Sequence, residues 1–82
     1  MRRRRLIYRA SHRGTRELDL LLGPFAASEL AEMAGPELDR FEALLEEPET
    51  TIQGWLLGDA PPPEPRRELI GRILEFKRNS LR

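Results

Sequence analysis

Arg13-Gly14-Thr15-Arg16-Glu17-Leu18-Asp19-Leu20-Leu21-Leu22-Gly23-Pro24-Phe25 holds, in one unbroken stretch, a turn and the opening of a helix. Gly14 suits the left-handed residue just past a helix end. Thr15 suits an N-cap, and Glu17 and Asp19 then lie near the positive end of the helix that follows. Leu18, Leu21, Leu22 and Phe25 recur with the 3.6-residue period of a helix and are predicted to face a core. Upstream, a short helix is expected from about Arg3 to His12, where Leu6, Ile7 and Ala10 make one apolar stripe. Downstream, Gly23-Pro24 is expected to kink or restart the helix, because proline lacks an N–H and crowds the preceding turn. The continuation then carries Leu30 and Met33 to Gly35.

The rest of the chain follows the same rhythm. Pro36 suits the first turn of another helix, with Leu38, Phe41, Leu44 and Leu45 as its apolar set. Pro48 marks its end or the start of the next connection. A short helix over about Thr50 to Leu57 places Ile52, Trp55 and Leu56 on one side, and Gly58 is expected to close it. Ala60 to Pro65 reads as a stiff, proline-rich connector. A last helix runs from about Glu64 to Ser80, with Leu69, Ile70, Ile73, Leu74 and Phe76 expected inward. Long apolar/polar alternation is missing and β-branched residues are scarce, which argues against strands. The expected product is all-α: one compact domain over residues 1–82, a bundle of about five short helices.

Composition narrows the function classes. The chain has 82 residues and no cysteine, so disulfides and thiolate metal sites are excluded. One histidine makes a zinc site of ordinary kind implausible. No apolar run approaches the ~20 residues that cross a bilayer, and the basic amino terminus lacks the apolar core of a secretory signal. A small soluble intracellular protein is expected. Net charge is zero, yet it is segregated. Residues 1–16 hold seven arginines and no acid, residues 17–49 ten acids and one arginine, and residues 50–82 six bases and four acids. A surface polarised in this way is expected to steer association with a charged partner.

Without any family in mind, the Arg13–Asp19 cluster has a structural explanation: Gly14 ends one helix, Thr15 starts the next, and Glu17 complements its dipole. That explains Arg13 and Arg16 poorly, since cations are unfavourable near a helix N-terminus. The two arginines are expected to face something acidic, either Asp19 or a partner. The run Arg2 to Arg5 has three readings: a solvated, frayed helix start, electrostatic steering toward a partner, or phosphate contact with nucleic acid. Only Tyr8 could stack on a base nearby, and the middle of the chain is acidic. Trp55 and Phe76 are most simply core residues, and His12 a cap or surface residue.

Arg13-Gly14-x-x-Glu17, led in by Leu6-Ile7-Tyr8-Arg9 and followed by Leu20-Leu21-Leu22-Gly23-Pro24-Phe25, resembles the signature of the succinate dehydrogenase assembly factor family. Ala43-Leu44-Leu45-Glu46-Glu47 is similar to that family's third-helix ending, and Gly54-Trp55-Leu56 to its tryptophan segment. The signature alone recurs by chance; set among these neighbours it is specific, and the likeness covers most of the chain. The main departure is the proline-dense Pro61-Pro62-Pro63-Glu64-Pro65, which bears on the connector's conformation.

The resemblance implies a non-enzymatic assembly factor that promotes covalent attachment of FAD to the flavoprotein subunit of succinate dehydrogenase, with fumarate reductase as a second client left open. Arg13, Gly14 and Glu17 would dock on the apo-flavoprotein beside its FAD site, with Arg16 and Asp19 as neighbours. The histidine that takes the flavin belongs to the client, so His12 is not the attachment site. The chain itself is then expected to hold no cofactor and no metal, to bind no nucleic acid, to enter no membrane and to be monomeric when free. A helix beginning close to Met1 leaves no room for a mitochondrial presequence, which points to a bacterial cytoplasm. The rival reading is a small interaction or antitoxin-like module that binds protein or nucleic acid through its basic amino terminus. An enzyme is the least favoured class, because no nucleophile–base pair or metal set presents itself.

Overall fold

The computed structural model describes residues 1–80, so the domain expected over 1–82 extends two positions past the described residues. Five α-helices and one 3-10 turn follow in order: α1 (Arg2–Ser11), α2 (Arg16–Glu29), the 3-10 turn (Leu30–Glu32), α3 (Gly35–Leu45), α4 (Glu49–Leu56) and α5 (Glu64–Ser80). Among the described residues there is no strand. The all-α bundle expected from the periodicity is the fold observed. Its radius of gyration, 11.6 Å, matches the roughly 11.7 Å of a globule of this chain length.

The apolar residues picked out by helical spacing converge on one core. Leu6 and Ala10 of α1, Leu18, Leu22, Phe25 and Ala26 of α2, Phe41 and Leu44 of α3, Ile52 of α4 and Ile73 of α5 are all fully buried or nearly so. Phe25 sits at the centre. Its ring lies 5.9 Å from that of Phe41 and 5.6 Å from that of Phe76, the latter edge to face, a geometry that aromatic quadrupoles favour. Trp55 and Phe76 are half-buried against this core rather than inside it.

α1 and α2 form an antiparallel pair that approaches closely at Gly23. A methyl group built there would lie 2.7 Å from Ser11 Oγ and 3.3 Å from Ser11 Cβ. Gly23 therefore sets the distance between the two helices.

Several local expectations change in the folded chain. Pro24 neither ends nor restarts α2, which continues to Glu29. An interior proline costs about 3 kcal/mol, but Leu22 and Phe25 on either side are buried completely, worth about 1.5–3 kcal/mol each. Packing wins, and the break falls at Leu30 instead. α1 ends at Ser11 with His12 as its C-cap, so Gly14 is left-handed as expected, at φ +99°, but is the pivot of the turn rather than the cap. Thr15 occupies the N-cap position of α2 without a side-chain cap bond. Gly58 does close α4 as expected, without a positive φ: the Gln53 carbonyl accepts from the N–H groups of both Leu57 and Gly58. Leu74 lies on the outer side of α5, 38% exposed, because the inward stripe is taken by Leu69, Ile70 and Ile73.

Candidate functional site

The turn between α1 and α2 is built by two acid–base contacts that cross it. The backbone N–H of Arg13 donates to Asp19 Oδ1 at 2.8 Å, so Asp19 closes the turn onto the first helical turn of α2. The Arg13 side chain runs the other way. Its Nε donates to Glu49 Oε1 at 2.9 Å, its Nη1 to the Leu45 carbonyl at 2.9 Å, and its Nη2 to the Glu47 carbonyl at 3.3 Å. The Leu45 carbonyl ends α3 and would otherwise lack a partner. Arg13 thus fills the negative end of α3 while pairing with the first residue of α4. This resolves the oddity of an arginine beside a helix N-terminus: its charge is delivered to a helix C-terminus, where a cation is favourable.

These contacts are well shielded. The Arg13 side chain is only 11% exposed and that of Glu49 29%. The second carboxylate oxygen of Glu49 is buried with no hydrogen-bond partner. Of the five residues singled out in sequence, Arg13 and Asp19 are therefore joined to the protein itself. Gly14, Arg16 and Glu17 are exposed, and neither side chain of the latter two bonds to another described residue. The turn presents a guanidinium and a carboxylate to solvent on a backbone that cannot easily shift.

The basic amino terminus is similarly absorbed, in part. Arg2 pairs with Asp39 and Glu42, and Arg9 with Glu42 and Glu46, all on or just past α3. The hydrogen bonds that Arg2 donates to Asp39 and then Glu42 hold its pKa above the ordinary value. Arg3 donates to the carbonyls of Leu30 at 2.8 Å and Met33 at 2.7 Å, closing the 3-10 turn. The run is not a frayed start, and the charge segregation seen along the chain is largely cancelled between α1 and α3. Arg4 and Arg5 remain exposed. Beside them Tyr8 and His12 stack at 4.1 Å between ring centroids, and His12 Nδ1 lies 2.9 Å from the Tyr8 carbonyl, so His12 is a surface residue at the end of α1.

Sequence reasoning missed Glu49 and the groove beside Glu17. Glu49 meets Arg13 from 36 positions away. Leu20 and Leu57, 64% and 41% exposed, line a groove with Glu17, Leu21, Pro24, Phe76, Lys77 and Ser80. A surplus leucine outside the core stripe of α2 is the one hint of it. Among the described residues no group of three or more His, Cys, Asp or Glu stands close enough to share a metal ion, and no helix is long and apolar enough to cross a membrane.

The fold is a small all-α bundle whose first turn offers opposite charges to solvent. The chain belongs to the family described as flavinator of succinate dehydrogenase, whose model matches residues 4–77. It is 41% identical over 78 residues to the FAD assembly factor SdhE of Acetobacter pasteurianus, covering 94% of this chain and 72% of that protein. It is 39% identical over 83 residues to the mitochondrial succinate dehydrogenase assembly factor 2 of Candida glabrata, covering 95% of this chain and 54% of that protein. The counterpart in Mycosarcoma maydis is 48% identical over 59 residues, which are 72% of this chain and 25% of that one. The chain thus spans about half the length of the Candida relative and a quarter of the Mycosarcoma one. The relatives are named as assembly factors, not as enzymes. No solved structure matches the chain significantly.

Proposed function

We propose that this chain promotes covalent attachment of FAD to the flavoprotein subunit of succinate dehydrogenase by docking on the apo-subunit through the Gly14–Glu17 turn. The observation that carries the docking site is the division of labour at the turn. Arg13 and Asp19 hold its shape from within, leaving Gly14, Arg16 and Glu17 exposed and otherwise unoccupied. Family membership supports the activity. In this reading the chain holds no cofactor of its own, acts as a monomer, and works in the bacterial cytoplasm, in keeping with the relative from Acetobacter.

A helper without a reactive group is useful because flavinylation is a problem of placement. The flavin 8α-methyl carbon must be held against a nucleophilic imidazole of the client while negative charge on the ring is stabilised. Orientation and fixed dipoles can lower such a barrier by several kcal/mol. A partner that binds one arrangement of the client better than the others shifts its population toward that arrangement, by no more than the difference in affinity. Glu17 and Arg16 supply paired charges for that contact, and Gly14 lets the two backbones approach without a side chain between them.

The test is the covalent flavin fluorescence of the flavoprotein subunit after denaturing electrophoresis, in cells with and without this gene. Deletion should remove the fluorescent band, and wild type but not Glu17→Ala should restore it. Glu17 is exposed and bonded to no described side chain, so the variant should keep the wild-type helical spectrum and lose only the dipole contribution of one first-turn carboxylate, a few degrees in melting temperature. An unchanged band on deletion would reject the function, and full rescue by Glu17→Ala would reject the site.

A further inference from the structure

The groove beside Glu17 has features that a simple solvent-exposed turn does not need. Leu20, Leu21 and Pro24 of α2 form one wall, and Leu57, Phe76, Lys77 and Ser80 the other. Its volume is about 280 Å³, below the ~300–1,000 Å³ of ordinary small-molecule sites and better suited to a few side chains than to a flavin. Leu20 projects into solvent although a polar residue would serve α2 equally well. Pro24, inside the helix, has no N–H to give to the Leu20 carbonyl. That carbonyl is left without its regular helical donor, and Glu17 stands one turn before it. Two of the residues that line the apolar channel thus offer an acceptor, Glu17 its carboxylate and Leu20 its undonated carbonyl. Lys77 lies on the opposite wall and, like Glu17, pairs with no described acid or base.

We infer that this groove receives an apolar segment of the client flavoprotein that carries one basic side chain, the base meeting Glu17 and the Leu20 carbonyl. The proposal rests on the docking reading above and gives it a second, apolar half. Charge complementarity selects the occupant. A purely apolar segment would leave Glu17 and the Leu20 carbonyl desolvated and unpaired, which is unfavourable. A segment carrying only an acid could pair with Lys77 but would be repelled by Glu17 and would leave the Leu20 carbonyl without a donor. Lys77 orients the segment, since its ammonium disfavours the base on that wall and favours a carboxylate or the carbonyl end of a helix. The motif carboxylate is then one anchor of a longer contact whose affinity comes chiefly from leucine burial.

The experiment measures binding of the full-length chain to the purified apo-flavoprotein subunit by calorimetry, for wild type, Leu20→Ala, Leu57→Ala, Glu17→Gln and Tyr8→Ala. All four positions are exposed, and thermal melts verify that each variant is folded. Leu20→Ala and Leu57→Ala should each weaken binding about tenfold or more, as expected for a leucine that loses its burial. Glu17→Gln should weaken it and flatten its salt dependence, while Tyr8→Ala, outside the groove, should bind as wild type. Loss of binding in Glu17→Gln with wild-type affinity in both leucine variants would overturn the groove and leave the turn standing as the docking site. No binding by the wild type would overturn the groove and the docking reading together. A wild-type dimer in sedimentation that Leu20→Ala turns into monomer would assign the groove to a second copy of this chain and overturn the proposal.

Discussion

Arg13→Ala is the substitution that separates a structural from a docking role for the signature arginine. Removal of the guanidinium takes away one charged and two neutral acceptor contacts, to Glu49, Leu45 and Glu47. It also strands Glu49, one of whose oxygens is already buried without a partner. Breaking a fully buried pair from one side costs about 3–5 kcal/mol. Here the side chains keep 11% and 29% of their exposure, so water recovers part of the penalty and about 2–3 kcal/mol remains. A domain of this length has roughly 4–12 kcal/mol of total stability, and a loss of that size lowers the melting temperature by about 10–20 °C. Arg13→Lys should recover less than half of it, because one ammonium cannot reach three acceptors that diverge around a planar fork. Adding Glu49→Gln to Arg13→Ala should restore about 1 kcal/mol by removing the stranded charge. Circular dichroism melts of the four proteins make the comparison. An Arg13→Ala protein that melts within about 2 °C of wild type yet fails to bind the flavoprotein would refute the internal assignment and place Arg13 on the partner.

Three further perturbations are read from local geometry. Gly23→Ala should destabilise by about 1 kcal/mol, the crowding at Ser11 outweighing the better helix propensity of alanine; adding Ser11→Ala should recover most of it in a denaturant titration. Gly14→Ala meets no neighbour within 4 Å, so its cost is the positive φ alone, about 1–2 kcal/mol, and a larger loss of client binding than of stability would assign Gly14 to the contact. Glu37 has its pKa lowered from 4.5, first by the Ala34 N–H and then by Arg72. The folded chain holds that proton less firmly than the unfolded one, so the contribution is present above about pH 4.5 and drains as pH falls through the folded value. Glu37→Gln should therefore flatten the acid limb of a stability–pH profile and leave its neutral part nearly level.

The helices themselves were legible without a structure. Their period, the glycine at the first turn and the prolines at Pro36 and Pro48 are local signals, and local signals act on neighbours in the chain. Leu18, Leu22, Phe25, Phe41 and Ile52 could be assigned to the core because a helix offers them only one common face. The turn also stood out as a candidate, since two arginines beside a helix N-terminus made little local sense. Which of its residues face outward could not be read. Arg13 and Glu17 each carry one charge, opposite in sign, and stand four positions apart; what buries one and not the other lies in Glu49 and Leu45, more than 30 positions from Arg13.

The same division holds for the whole molecule. Sequence by itself determined the helical class, the positions of the turns and the likeness to the assembly factors, because each depends on the order of residues over a few turns of chain. Tertiary structure alone decided that α2 runs through Pro24, that Arg2, Arg3, Arg9 and Arg13 bond to other elements of the fold, and that Glu17 stands at the mouth of an apolar groove. Each of these depends on which surfaces meet. A charge or a leucine becomes a contact surface only when the packing of other elements leaves it uncovered.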